Sequence, residues 1–162
     1  MEWFDIEKKN KKVNEVKIFP VPYTFKGNQE NITINTNIIS KYSKEQIINQ
    51  AFKFHSKGNI LEAAKYYEYF INQGFTDHRV LSNYGVVLKD LGKLQDAEIA
   101  QRKAIKIKPD YADAHYNLGI MLKNLGKLKE AKLSYHKAIE LKPDFADAHS
   151  NLGNVLNDLG KL

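Results

Sequence analysis

The chain has 162 residues, 43% apolar and 27% charged, with no cysteine and a formal net charge of +6, which suits one domain or one short repeat array with a tail. The missing cysteine excludes disulfides, thiol nucleophiles and thiolate metal sites. Apolar runs are only a few residues long and the start, Met1 to Lys9, lacks the apolar stretch of a secretory signal, so a soluble, cytoplasmic protein is expected.

The basic balance is diffuse. Residues 1–43 hold seven lysines and five acidic residues; the remainder holds 18 basic and 14 acidic groups, interleaved without a long basic block. A nucleic-acid surface gathers its cations on one face beside stacking aromatics. That pattern is missing, so the lysines read as solvated helix faces and no nucleic-acid partner is expected.

Residues 1–43 read as a flexible leader. They contain Lys8-Lys9-Asn10-Lys11-Lys12, then Phe19-Pro20-Val21-Pro22-Tyr23, then an Asn-rich run from Asn28 to Asn37. The prolines oppose helix and favour extended chain. Ile32-Thr33-Ile34 alternates weakly like a strand but has no clear second strand to pair with. Trp3, Phe4, Phe19, Tyr23 and Phe25 offer an aromatic stretch able to dock on the helical region that begins at residue 44. Asn31-Ile32-Thr33 matches a glycosylation acceptor, idle without secretion.

From residue 44 a period of 34 governs the chain. Ala112-Asp113-Ala114-His115-Tyr116-Asn117-Leu118-Gly119, shifted by 34, meets Ala146-Asp147-Ala148-His149-Ser150-Asn151-Leu152-Gly153 with seven of eight residues identical. Asn124-Leu125-Gly126-Lys127-Leu128 likewise meets Asp158-Leu159-Gly160-Lys161-Leu162, and one period earlier stands Asp90-Leu91-Gly92-Lys93-Leu94. A faded copy, with Gly58-Asn59-Ile60 at that place, occupies 44–77. The units are 44–77, 78–111, 112–145 and a truncated 146–162.

Each unit predicts two helices. Gly58, Gly92, Gly126 and Gly160 each follow about fourteen residues of helix-period pattern, where a left-handed C-cap is expected. Second helices are predicted at 60–72, 94–107 and 128–141, the last two stopped before Pro109 and Pro143. Asp110 and Asp144, each with an Asp three residues on, supply carboxylates for the amides of the next helix N-terminus. Ser43-Lys44-Glu45-Gln46 reads as a capping box. Gly85, Gly119, Gly153, Ala97 and Ala131 allow close helix approach. One such pair cannot bury its apolar stripe alone, so the units must stack.

The spacing and residue pattern resemble the tetratricopeptide repeat. In the third unit the pattern reads His115, Leu118, Gly119, Leu122, Ala131, Tyr135, Ala138 and Pro143; in the second, Leu81, Tyr84, Gly85, Leu88, Ala97, Gln101, Ala104 and Pro109. The first diverges, with Ile47, Gln50, Ala51, Phe54, Ala63 and Tyr67, then Phe70 and Phe75 in place of Ala and Pro. His115, His149 and Gln101 are departures at aromatic positions. The resemblance implies an all-α fold, a right-handed α-solenoid of helix-turn-helix repeats with a concave inner face.

No catalytic constellation is visible. The histidines lack metal-ligand spacing, no glycine-rich phosphate loop exists and no nucleophile triad is present. No enzyme activity, metal or cofactor is therefore expected, and His115 and His149 read as core or semi-buried packing residues.

The resemblance implies that the first helix of each repeat lines the groove. Its sixth position is Asn49, Asn83, Asn117 and Asn151, an asparagine ladder whose amides match a peptide backbone in donors and acceptors. Further groove candidates are Arg79, Tyr116, Lys89 with Asp90, Lys123 with Asn124, His55 with Ser56, and Asn154. The clamp with which some family members grip acidic chaperone tails needs lysine at the fifth position; here stand Ile48, Ser82, Tyr116 and Ser150. Asp147 to Val155 is similar to the repeats of O-linked N-acetylglucosamine transferases. The expected function is a protein-interaction scaffold binding an extended peptide, with no membrane contact. The alternative is the recognition part of a longer transferase. The mid-repeat ending, with Leu152, Val155, Leu156 and Leu159 on the last helix, is expected to mean a fragment of a longer protein or self-association.

Overall fold

The computed structural model describes residues 42–161, and the leader reading, with its aromatic, strand and acceptor segments, lies outside the described residues except for Tyr42 and Ser43. Within them the chain forms seven α-helices and no strand: α1 Lys44–Ser56, α2 Ile60–Asn72, α3 His78–Asp90, α4 Leu94–Ile107, α5 Ala112–Asn124, α6 Leu128–Leu141 and α7 Ala146–Gly160. The second helices fall on the residues that the proline and glycine punctuation predicts.

Local chemistry sets the ends. The Ser43 hydroxyl accepts from the Gln46 amide while the Gln46 side chain accepts from the Ser43 amide, a complete capping box. Gly58, Gly92 and Gly126 turn the chain between paired helices at φ of 74°, 76° and 75°, a conformation that costs glycine nothing and a Cβ-bearing residue about 1 kcal/mol or more. Gly160 differs from expectation: it is the last residue of α7, and the positive-φ set contains Gly74 after α2 instead. The carboxylate caps also differ. Tyr111 and Phe145 precede α5 and α7 without a side-chain cap, so Asp110 and Asp144 stay exposed in the turns. The favourable charge at those N-termini comes from Asp113 and Asp147 in the first turn. The capping carboxylate is Asp77, which accepts from the Arg79 and Val80 amides at the start of α3.

The core is a stack of equivalent layers. Ala63, Ala97 and Ala131 are fully buried where paired helices cross. Beside them, Gly119 lies so close to α6 that an added Cβ would stand 2.6 Å from the Tyr135 ring, and at Gly85 it would stand 2.5 Å from Gln101 Nε2. A Cβ added at Gly153 would meet no other part of the protein within 4 Å. In the divergent first repeat, Phe70 and Phe75 pack with their rings tilted by 56° and 5.3 Å between centroids, and Lys44 Nζ sits 5.7 Å from each ring. An aromatic pair thus fills the space that Ala and Pro occupy in later repeats.

Two departures at aromatic positions also resolve. Gln101 is fully buried: its Oε1 accepts from Ser82 Oγ at 2.9 Å and its Nε2 donates to the Ser82 carbonyl at 2.8 Å. His115 is half-buried as expected, but His149 is exposed. Each turns its ring out of the packing layer, and its Nε2 donates to the carbonyl of Pro109 or Pro143 at 2.9 Å. This bond ties the helix to the preceding turn.

Ion pairs join the second and third repeats. Glu98 accepts from Lys127 at 2.8 Å and from Arg102, and Arg102 also reaches Glu130 at 2.9 Å. Burial alone would push the Glu98 carboxyl up, but the hydrogen bonds from Lys127 and Arg102 outweigh it and hold it below its ordinary range. A depressed folded-state value means that the charged form contributes stability above the unfolded value and loses it as pH falls through the lower folded one. Stability should therefore decline as pH falls below about 4.5, and E98Q should be less stable at neutral pH with a flatter acid limb. Urea midpoints of both proteins between neutral and acid pH check this. Parallel acid limbs would exclude Glu98 as a source.

Candidate functional site

The first helices form one row. α1 touches α3, α3 touches α5 and α5 touches α7, in addition to the contacts within and between consecutive helix pairs. The inner side of the stack is the side on which helices two apart approach, and the predicted groove residues lie on these helices.

At the start of this row an open cavity of about 300 Å³ lies between α1 and α3, lined by Phe52, His55, Ser56 and Asn83. Phe52 gives it an apolar wall, and its ring stands 6.1 Å from that of buried Tyr67. The Tyr67 hydroxyl lies 3.2 Å from His55 Nδ1, which fixes the imidazole against α2. Burial lowers the His55 pKa, with Asp90 opposing and Lys89 reinforcing. The ring is therefore neutral at pH 7 and offers polarity without charge. Lys89 and Asp90 pair with each other at 2.9 Å. The cavity thus combines an aromatic wall with an imidazole, a hydroxyl and a primary amide.

The asparagine rungs have unequal surroundings. Asn49 is exposed and Asn83 lines the cavity. Asn117 donates its Nδ2 to Ser82 Oγ at 3.3 Å, and Asn151 donates to the Tyr116 hydroxyl at 3.2 Å. In both, the sixth residue of one repeat bonds the fifth residue of the repeat before it. These two amides therefore also bind neighbouring repeats together. Asn83 has Ile48 at the corresponding place, which offers no side-chain acceptor.

The other candidates divide. Arg79 is engaged by Asp77, through Nε to Oδ1 at 3.2 Å and Nη2 to Oδ2 at 2.8 Å, in a clamp at the start of α3. Tyr116 packs its ring 4.7 Å from Phe145 and 6.0 Å from Tyr135. Lys123 is half-buried, and Asn124 and Asn154 are exposed. Phe52 was hidden in the sequence because a phenylalanine on a helix face reads as core. Ser82 and Gln101, which anchor Asn117, were hidden because their bonds cross between helices.

The family pattern described as tetratricopeptide repeat matches residues 112–145, and one described as TPR repeat matches residues 85–126. No curated protein matches the sequence. Among solved structures, MamA is similar at TM-score 0.72 and 23% identity, over 77% of this chain and 74% of that one. The first TPR of Spaghetti (RPAP3), bound to the HSP90 peptide SRMEEVD, is similar at TM-score 0.69 and 23% identity, over 72% of this chain and 93% of that one. The Thermobaculum terrenum O-GlcNAc transferase is similar at TM-score 0.66 and 26% identity, over 70% of this chain and 22% of that one. Seven helices stacked on a 34-residue period, glycine notches filled by the facing helix, and these two family matches lead to one conclusion: the chain is a tetratricopeptide repeat protein.

Proposed function

We propose that the chain is a protein-interaction scaffold that holds an extended partner segment along the row of first helices. The cavity between α1 and α3 is its anchor, and the reading assigns no catalytic step to these residues. The observation that carries it is that cavity, with its apolar wall and three neutral polar groups, continued along α5 and α7 by Asn117 and Asn151. Such a surface meets a peptide backbone and a side chain without requiring charge on either. The peptide bound by the first TPR of Spaghetti supports the general mode. Its acidic end does not suit this row, because Ile48 is buried and Ser82 is committed to Gln101 where a lysine would be needed. The ligand favoured here is an extended segment without a run of acidic residues.

Peptides selected from a phage-displayed random library against the 162-residue chain test this. Binding should fall at least about tenfold in a N83A/N151A variant, the loss of about 1.4 kcal/mol or more expected from two hydrogen bonds. Unchanged affinity in that variant, with the circular dichroism of the native protein, would reduce the ladder to a helix surface.

A second reading follows from the similarity to the Thermobaculum terrenum O-GlcNAc transferase, whose chain is much longer than the matched part. Here the same row would present acceptor proteins to a catalytic domain. A reading frame continuing past Leu162 into such a domain would favour it, and a stop codon there would remove it.

A further inference from the structure

The outer helices carry a second recurrent feature, distinct from the groove. Each of α2, α4 and α6 projects one large aliphatic side chain from its first two turns: Leu61, Ile99 and Leu133, with 62%, 42% and 67% of their surface exposed. Ile99 and Leu133 are equivalent positions one period apart, and Leu61 stands one turn before that position, on the same helix face. The Arg102–Glu130 ion pair links α4 to α6.

The charges around these residues that make no ion pair with the described residues include Asp96 and three lysines, a basic excess. Glu98 and Glu130 are held by Arg102 and Lys127, and Glu140 by Lys137. Asp96 is half-buried in the first turn of α4. Lys103 and Lys106, one and two turns after Ile99, and Lys129, one turn before Leu133, make no ion pair with the described residues.

We propose that this outer face docks on an anionic lipid bilayer, with Ile99 and Leu133, joined by Leu61, entering the headgroup layer and Lys103, Lys106 and Lys129 pairing with lipid phosphates and carboxylates. The arrangement distinguishes a bilayer from a partner helix. A helix needs a continuous apolar stripe to bury its own. Here single aliphatic prongs stand apart in a cationic field, which suits insertion between headgroups. It departs from the expectation of no membrane contact, which rested on the lack of a spanning segment. No described helix is long and apolar enough to cross a bilayer, and surface docking requires none.

Co-sedimentation of the 162-residue chain with vesicles tests this. Vesicles of about three parts phosphatidylcholine to one part phosphatidylserine should retain the protein at about 50 mM salt and release much of it at about 300 mM. Phosphatidylcholine vesicles should not retain it. A I99S/L133S variant and a K103Q/K106Q/K129Q variant should each lose at least about fivefold in bound fraction with unchanged circular dichroism. Failure of the native chain to bind anionic vesicles overturns the proposal. So does binding that survives both variants but disappears when Lys8, Lys9, Lys11 and Lys12 are changed to Gln, because the leader would then be the lipid-binding part.

Discussion

Substituting alanine for the same glycine in two nearly identical segments should change stability in opposite directions. Gly119 and Gly153 share the context Ala-Asp-Ala-His-x-Asn-Leu-Gly and both sit inside helices. On helix propensity alone, each change to alanine should stabilise by about 1 kcal/mol. At Gly119 the new Cβ would stand 2.6, 2.7 and 2.9 Å from three ring carbons of Tyr135, which is fully buried. A ring packed on all sides cannot retreat as the end of a flexible chain would. Overpacking of this kind costs about 1–3 kcal/mol, and contact with three ring atoms argues for the upper half of that range. G119A should therefore lose about 1–2 kcal/mol net. At Gly153 the new Cβ would meet no other part of the protein within 4 Å, so in the 162-residue chain G153A should gain about 0.5–1 kcal/mol. Urea unfolding followed by circular dichroism reads both. Adding Y135L to G119A should recover part of the loss. Two shifts of the same sign would mean that the notch between α5 and α6 is not where the packing is tight.

How far the sequence reveals such differences depends on the range of the interactions. Helix limits are local and legible: proline cannot continue a helix, and the glycines at 58, 92 and 126 supply the left-handed turn, so the second helices end where the residues say. Gly160 shows the limit of that logic. Its sequence context matches the others, yet it stays in α7, because a C-cap glycine adopts positive φ only when the following residues bond back onto the helix end. Lys93 and Lys127 do so through their amides to Leu88 and Leu122 at 2.8 Å, and among the described residues α7 shows only the shorter-range bond from Lys161 to Asp158. Asp110 and Asp144 misled for a similar reason. They lie one residue too early for a side-chain cap, since Tyr111 and Phe145 take the capping position.

The candidate site was legible only as a set of positions. The 34-residue period places Asn49, Asn83, Asn117 and Asn151 on one row, but their different roles come from the residue one repeat before. That residue is Ser82 for Asn117, Tyr116 for Asn151 and Ile48 for Asn83, so only Asn83 is left to line the cavity. Periodicity cannot show this, because the fifth position is where the repeats differ. Arg79 looked like a groove residue because of its number, yet Asp77, two residues earlier, binds it.

Gln101 is where core and groove meet, and it carries the second large effect. It occupies the position of Tyr67 and Tyr135, fully buried like both, but it substitutes two hydrogen bonds to Ser82 for aromatic packing. Ser82 is also buried, and its hydroxyl accepts from Asn117. One chain of bonds therefore runs from α4 through α3 to α5 and links two repeats. In such a network, removing one member strands the others. Q101L keeps the volume but leaves the Ser82 hydroxyl without its acceptor, at a cost of about 1–3 kcal/mol, and S82A should cost a similar amount by stranding the buried Gln101 oxygen. The double variant removes both buried polar partners, and Asn117, only half-buried, can turn to water. It should therefore lose less than the sum of the singles, with a coupling of about 1–2 kcal/mol in a double-mutant cycle. The third repeat supplies the counterpart: the Tyr135 hydroxyl is buried without a partner and its pKa is pushed up to about 12, chiefly by burial. Y135F should accordingly be neutral or stabilising, whereas Q101L destabilises at the equivalent site. If Q101L matched Y135F, the hydrogen bonds to Ser82 would contribute nothing, and the second and third repeats would be joined by packing, the ion pairs of Glu98 and Glu130 and the His115 bond to Pro109.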